Sequence, residues 1–242
     1  MPRSVVRAGA DRCPRCSLQP RWCICDMLPP VDTQLVVHVL IHRGEQRKPS
    51  STGTLVARVV TGTTQHVYQR QSRFFPPLSL TASSLRADRD VWILHPHGEP
   101  FPAAGAVSDA DARTAPQVVL LDGTWRQAGE MLHSVEGLGR CVRLPDQGRE
   151  PGRFWLRDQP GPGQLSTAEA LMQVLAAVGE HDAARRLRLH FELHVYAMLL
   201  ARGRREMAER YLGHSPLLSE APSIVDALHD RREAPGQEMH RG

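Results

Sequence analysis

Two groups of residues in this chain have the types and spacing to do chemistry. The first is Cys13-x-x-Cys16 followed by Cys23-x-Cys25, which gathers four of the five cysteines into one short stretch. Two tight turns in such a span can bring four thiolates around one tetrahedral ion, with zinc the natural occupant. Four sulfur ligands leave no open position for water, so the centre reads as structural. Free or redox-active cysteines and an iron-sulfur cluster are the competing readings, and the clustering weighs against free thiols. Arg12, Arg15, Arg21 and Trp22 interleave with the cysteines, presenting cations and an aromatic surface that could grip RNA phosphates or stack on a base.

The second group lies in three polar segments that each follow a dense apolar run. These are His42-Arg43-Gly44-Glu45 through Ser51-Thr52-Gly53, His95-Pro96-His97-Gly98-Glu99, and Asp122-Gly123-Thr124-Trp125. In an open α/β sheet, ligands settle where such strand-end loops converge. A carboxylate at the position of Asp122 could accept a hydrogen bond, act as a base, or cap the following helix. Thr124 and Trp125 divide between core packing and nucleotide contact. No spacing among His42, His95 and His97 matches a metalloenzyme signature, so these read as polar supports. A dinucleotide glycine fingerprint and a Lys-Ser/Thr phosphate loop are both absent, which argues against NAD- and NTP-driven chemistry.

The elements that must position these loops are legible as periodicity. Residues 34–41 form a β-branched run that predicts a buried strand, and Leu55, Val56, Val59 and Val60 predict a helix behind a Ser/Thr-rich cap. Further strands are expected at 91–94, 117–121 and 140–144, with a short helix carrying Trp125, Ala128 and Leu132. A Pro/Gly-rich connection occupies 145–163. Ser166, three residues before Glu169, predicts a capping box opening the next helix, and a second long helix is expected over 183–205. The alternation predicts an α/β sheet with parallel strands flanked by helices. The expected organisation is a cysteine segment over 1–30, a catalytic domain over 31–228, and a mobile tail over 229–242.

At 242 residues the chain can bury one substantial core with small appendages. Its 30 Lys+Arg against 26 Asp+Glu give a formal charge of +4, a mild bias toward polyanions. Lys48 is the only lysine, so nearly all of that charge is arginine. No apolar run approaches the roughly 20 residues that span a bilayer, and no secretory leader is recognisable. The expectation is a soluble cytoplasmic protein, with no membrane association and no obligate protein partner evident.

Taken together, the four cysteines, His42-x-x-Glu45 through Thr52-Gly53, Leu121-Asp122-Gly123-Thr124-Trp125 and Leu165-Ser166-Thr167-Ala168-Glu169-Ala170 resemble the DTW-domain family, the tRNA-uridine aminocarboxypropyltransferases. Ser51 departs from the asparagine common in that family before the Thr-Gly pair. The resemblance implies a fold related to the SPOUT methyltransferases, with a C-terminal trefoil knot. It also implies transfer of the aminocarboxypropyl arm of S-adenosylmethionine to uridine N3 in tRNA, with methylthioadenosine released; bacterial members act on the variable loop. On this mapping the cofactor lies among Thr52, Leu94, His95, Pro96, Asp122, Gly123, Thr124, Trp125, Leu165, Ser166, Thr167 and Glu169. Asp122 is the catalytic candidate, and Arg43 and Arg126 join Arg15 and Arg21 as expected RNA or carboxylate contacts. An RNA methyltransferase of the same fold and a non-catalytic zinc-knuckle RNA-binding protein are the alternatives.

Overall fold

A computed structural model describes residues 12–73, 76–102, 115–145, 152–156 and 164–233. Much of the 145–163 connection, and the tail beyond 233, lie outside the described residues.

Five strands, β1 (Val36–His42), β2 (Thr64–Tyr68), β3 (Val91–Pro100), β4 (Gln117–Asp122) and β5 (Arg140–Arg143), form one sheet in the order β2-β1-β4-β3-β5. Every pairing is parallel. Parallel neighbours cannot be joined by a tight hairpin, so helices must cross over the faces. α1 (Thr52–Val59) follows β1, α2 (Trp125–Ser134) follows β4, and α3 (Thr167–Ala177) and α4 (His181–Ala201) complete the main layers. The described residues end with α5 (Arg205–Gly213), α6 (Leu217–Glu220) and α7 (Pro222–Glu233). α7 carries regular structure past His229, where the tail was expected to begin.

Strand parity divides the core. Val37, Val39, Ile41, Val118 and Leu120 pack on one face with residues of α1, α3 and α4. Leu40, Ile93 and Val119 pack on the other with Met131 of α2 and Tyr68. Successive residues of a strand point to opposite faces, so the two clusters are the two sides of one sheet. Asp122 continues the first series and His42 the second, a difference that matters at the site.

The cysteine segment is not an isolated appendage. Cys16, Leu18, Trp22 and Ile24 are buried in the same cluster as the α1/α3/α4 face of the sheet. Val31 then exchanges backbone hydrogen bonds with the end of α1, its N–H reaching Val59 O at 2.8 Å and its carbonyl accepting from Thr61 at 2.9 Å. The carbonyl of Pro29 lies 2.8 Å from His190 Nε2 on α4.

α4 is almost wholly buried in its central turns, and it stops at Ala201 because Gly203 adopts φ 72° and Arg204 N–H closes back onto Leu199 O. The expected helix over 183–205 is therefore cut short by a left-handed glycine cap. No helix among the described residues is long and apolar enough to cross a membrane.

His194 is 1% exposed in the middle of α4, and neither ring nitrogen has a hydrogen-bond partner among the described residues. Burial, followed by the charges of Arg58 and Arg202, lowers its pKa to about 3. Below pH ~6.5 the unfolded chain binds a proton that the folded chain does not, so stability falls as the pH drops from ~6.5 toward 3. At pH ~5 this group alone costs about 2 kcal/mol. Urea unfolding at pH ~7 and ~5 should show His194→Leu losing about 2 kcal/mol less than wild type over that interval. Equal losses would contradict this assignment.

Candidate active site and metal centre

The loops at the carboxyl ends of β1 and β4 and the start of α3 meet at Asp122. Its side chain, in a residue only 4% exposed, accepts three hydrogen bonds from two chain segments, the start of α1 and the start of α3. Ser51 Oγ donates to Oδ2 at 2.7 Å, Gly53 N–H to Oδ1 at 3.1 Å, and Thr167 Oγ1 to Oδ1 at 2.5 Å. Ser51 is also the N-cap of α1, its Oγ accepting from Thr54 N–H at 3.0 Å. One carboxylate therefore ties together the first turns of α1 and α3, where the helix dipoles favour negative charge. An ionised carboxylate offers about four acceptor sites, so one on Oδ2 remains open.

This convergence requires a glycine at 53. A Cβ there would sit 2.5 Å from Asp122 Cγ and 2.6 Å from its Cβ, well inside van der Waals contact. Gly53→Ala should destabilise the protein by about 1–3 kcal/mol through overpacking and displace the carboxylate. A melting temperature and activity equal to wild type would show that the loop can absorb the methyl group.

The segments beside Asp122 are held by their own caps. Thr124 opens α2 with a capping box in which Gln127 Oε1 accepts Thr124 N–H at 2.8 Å. The free end of that amide, Gln127 Nε2, lies 3.0 Å from His42 Nδ1 and so couples the β4 loop to the β1 loop. Ser166 opens α3 with the expected capping box. Glu169 is used twice, accepting Ser166 N–H at 2.8 Å and Arg153 N–H at 2.7 Å. Arg153 in turn pairs bidentately with Glu192, 1% exposed, at 2.7 and 2.6 Å, and its guanidinium lies 4.3 Å from the Tyr211 ring. This clamp fixes residues 152–156 against α3, α4 and α5.

The predicted site residues thus fall into groups. Thr52, Asp122, Gly123, Ser166, Thr167 and Glu169 belong to the segments that converge on the Asp122 carboxylate or flank it. Leu165 precedes this group, half-buried. Leu94 is buried on the α1/α3/α4 face, whereas His95 is buried beside His97, its pKa lowered first by burial and then by His97 and His133 of α2. Pro96 is exposed. Thr124 is exposed as the α2 cap, and Trp125 stands 46% exposed at the first helical position. Arg126 pairs with Glu130 at 2.9 Å, and Arg43 donates to Gln69, both near the strand-end loops.

Arg15 and Arg21 sit elsewhere. Arg15 O accepts from Arg58, in the last turn of α1, at 3.5 Å, and α1 spans about 12 Å. The knuckle is therefore at the end of α1 opposite Asp122. There Arg15 pairs with Asp26 at 2.7 Å, and the Arg21 guanidinium lies 5.3 Å from the Trp22 ring. Sequence reasoning did not single out Gln127, although Thr124-x-x-Gln127 is a readable capping box. It had no signal for Arg153.

The sulfur atoms of Cys13, Cys16, Cys23 and Cys25 all lie within 4.8 Å of one another. Cys13 and Cys25 are 3.7 Å apart, and Cys16 and Cys23 are 3.9 Å apart. Tetrahedral coordination with Zn–S near 2.3 Å has sulfur–sulfur edges of about 3.8 Å, so these four can hold a metal ion such as zinc. Burial pushes the Cys13 thiol up, but hydrogen bonds from the backbone N–H groups of Cys16 and Arg15, joined by those of the Cys23 and Cys16 side chains, together outweigh it and lower the pKa to about 6.

Fold and geometry together define a parallel α/β protein with a candidate strand-end site, gathered around a buried carboxylate, and, at the far end of α1, a four-cysteine cluster that can hold a metal ion. No solved structure matches the chain. The chain belongs to the DTW-domain family, whose model matches residues 10–199 and so takes in the knuckle, the whole sheet and most of α4.

Proposed function

We propose that this protein is a tRNA-uridine aminocarboxypropyltransferase with a SPOUT-related, knotted fold and a structural zinc ion in the knuckle. The supporting observation is that Asp122 gathers Ser51, Gly53 and Thr167 into one buried point. Those residues come from segments through which the chain resembles that family, and family membership is consistent with tRNA modification.

The reaction forms a bond between uridine N3 and the γ-carbon of S-adenosylmethionine and breaks the bond from that carbon to the sulfonium sulfur. The bonding pair goes to sulfur, methylthioadenosine leaves, and N3 gives up its proton. The sulfonium carries three electrophilic carbons, so alignment of one of them in a near-attack pose decides the product. In this reading the strand-end loops hold the cofactor, and the open acceptor site on Asp122 Oδ2 orients or takes the N3 proton. Trp125 supplies an exposed aromatic face, and Arg43 and Arg126 meet a carboxylate or phosphate.

The test is mass spectrometry of nucleosides from unmodified tRNA incubated with the protein and S-adenosylmethionine. Aminocarboxypropyluridine with methylthioadenosine is expected. S-adenosylhomocysteine would mean methyl transfer, and tRNA binding with neither product would mean a binding protein.

A further inference from the structure

The hydrogen bonds of His42 give it a role that its spacing in the sequence did not. Its Nδ1 accepts from Gly44 N–H at 3.1 Å and from Gln127 Nε2 at 3.0 Å. A backbone N–H can only donate. The Gln127 amide is equally unambiguous, because its oxygen is committed to Thr124 N–H at 2.8 Å. Two donors directed at Nδ1 place the ring proton on Nε2.

That Nε2–H has no hydrogen-bond partner among the described residues, and the residue is half-buried at the carboxyl end of β1. Its chain neighbour Ile41 pairs in register with Asp122. The ring also lies against Tyr68, with centroids 5.9 Å apart. A turn, a capping-box side chain and an aromatic neighbour thus converge on one imidazole and leave a single donor free.

The geometry points to His42 as a substrate-contacting residue, a neutral Nε2–H donor held at the crest of the sheet for a carbonyl oxygen of the target base. This role rests on the transferase reading. When N3 bonds to the γ-carbon and its proton leaves to the Asp122 acceptor site or to water, negative charge develops on the uracil oxygens. A donor fixed at one of them binds the transition state more tightly than the ground state. Because the nitrogen facing the base already carries its proton, His42 donates there and does not act as the base.

The experiment has two arms. In the first, long-range proton–nitrogen NMR of histidine-labelled wild-type protein should show His42 with a protonated Nε2 and a bare Nδ1, the signals being assigned by their loss in His42→Asn. Adding unmodified tRNA should shift the Nε2–H signal. A proton on Nδ1, or no shift on adding tRNA, overturns the proposal whatever the activity.

In the second arm, His42→Asn keeps an acceptor near Nδ1 and removes the outward donor, while His42→Gln keeps an N–H near Nε2. Loss of one such donor should lower kcat on the order of 100-fold in His42→Asn, with the KM for tRNA little changed, and His42→Gln should recover most of it. Equal loss in both variants, matched by equal thermal destabilisation, overturns the proposal. Wild-type protein that shifts its Nε2–H signal with tRNA but releases no methylthioadenosine would sink the transferase reading and leave the donor assignment standing.

Discussion

Stripping the metal from the cysteine knuckle is expected to unfold the protein well beyond its first 30 residues. Coordination by four thiolates supplies roughly 10–16 kcal/mol of apparent folding energy in small zinc modules, against a total of about 5–15 kcal/mol for a typical domain. Here that energy is not confined to a detachable finger. Cys16, Leu18, Trp22 and Ile24 share a core with Val37, Val39 and Val118, and Val31 is bonded to the end of α1. Thermal melts with and without a chelator, followed by far-ultraviolet circular dichroism, provide the measurement. A large fall in melting temperature and loss of helix signal are expected, with metal analysis of the untreated protein giving about one ion per chain. Chelated protein that melts with its untreated profile would show that the knuckle is held by packing alone.

Asp122 carries the second large effect, and its two substitutions should separate. Asp122→Ala leaves Gly53 N–H without an acceptor and removes the shared partner of the Ser51 and Thr167 hydroxyls. Hydrogen bonds to a charged group contribute about 1.5–3 kcal/mol each and are not additive, so a loss of about 3 kcal/mol is expected. In Asp122→Asn an amide oxygen can still receive Gly53 and Thr167, while the amide nitrogen donates to Ser51 Oγ. The fold should survive, with cofactor binding still measurable. The acceptor site on Oδ2 is gone, however, and transfer should fall by about 10²–10⁴-fold if that site handles the N3 proton. Urea denaturation, calorimetric cofactor binding and methylthioadenosine release distinguish these outcomes. Near-wild-type turnover in Asp122→Asn would remove the carboxylate from the chemistry and leave it as a helix tie.

Local pattern carried much of the fold into the sequence. The apolar runs at β1, β4 and β5 and the capping box of α3 stand where periodicity puts them, because each is decided by near neighbours. β2 was not visible, since Thr64-Gln-His-Val-Tyr68 lies at the sheet edge and is only partly buried. β3 runs on to Pro100, past the expected end at residue 94, by way of an irregular register between Leu94 and Glu99 that no propensity announces. In the site, the polar loops after the strands were legible as loops. The approach of Gly53 to Asp122, and the clamp of Arg153 on Glu192, join residues 69 and 39 positions apart. Such contacts depend on how the layers pack, and spacing along the chain does not encode them.

The division of the sheet by strand parity bears on the trajectory of the proposed reaction. Asp122 bonds to α1 and α3 on one side of the crest, while His42 bonds to α2 on the other. Displacement at a saturated carbon needs nucleophile, carbon and leaving sulfur in one line, so the two reactants must approach from opposite directions. A ridge with different helices on its flanks meets that need by construction: the sulfonium can be seated on one slope and the base presented from the other, with the forming bond along the ridge top.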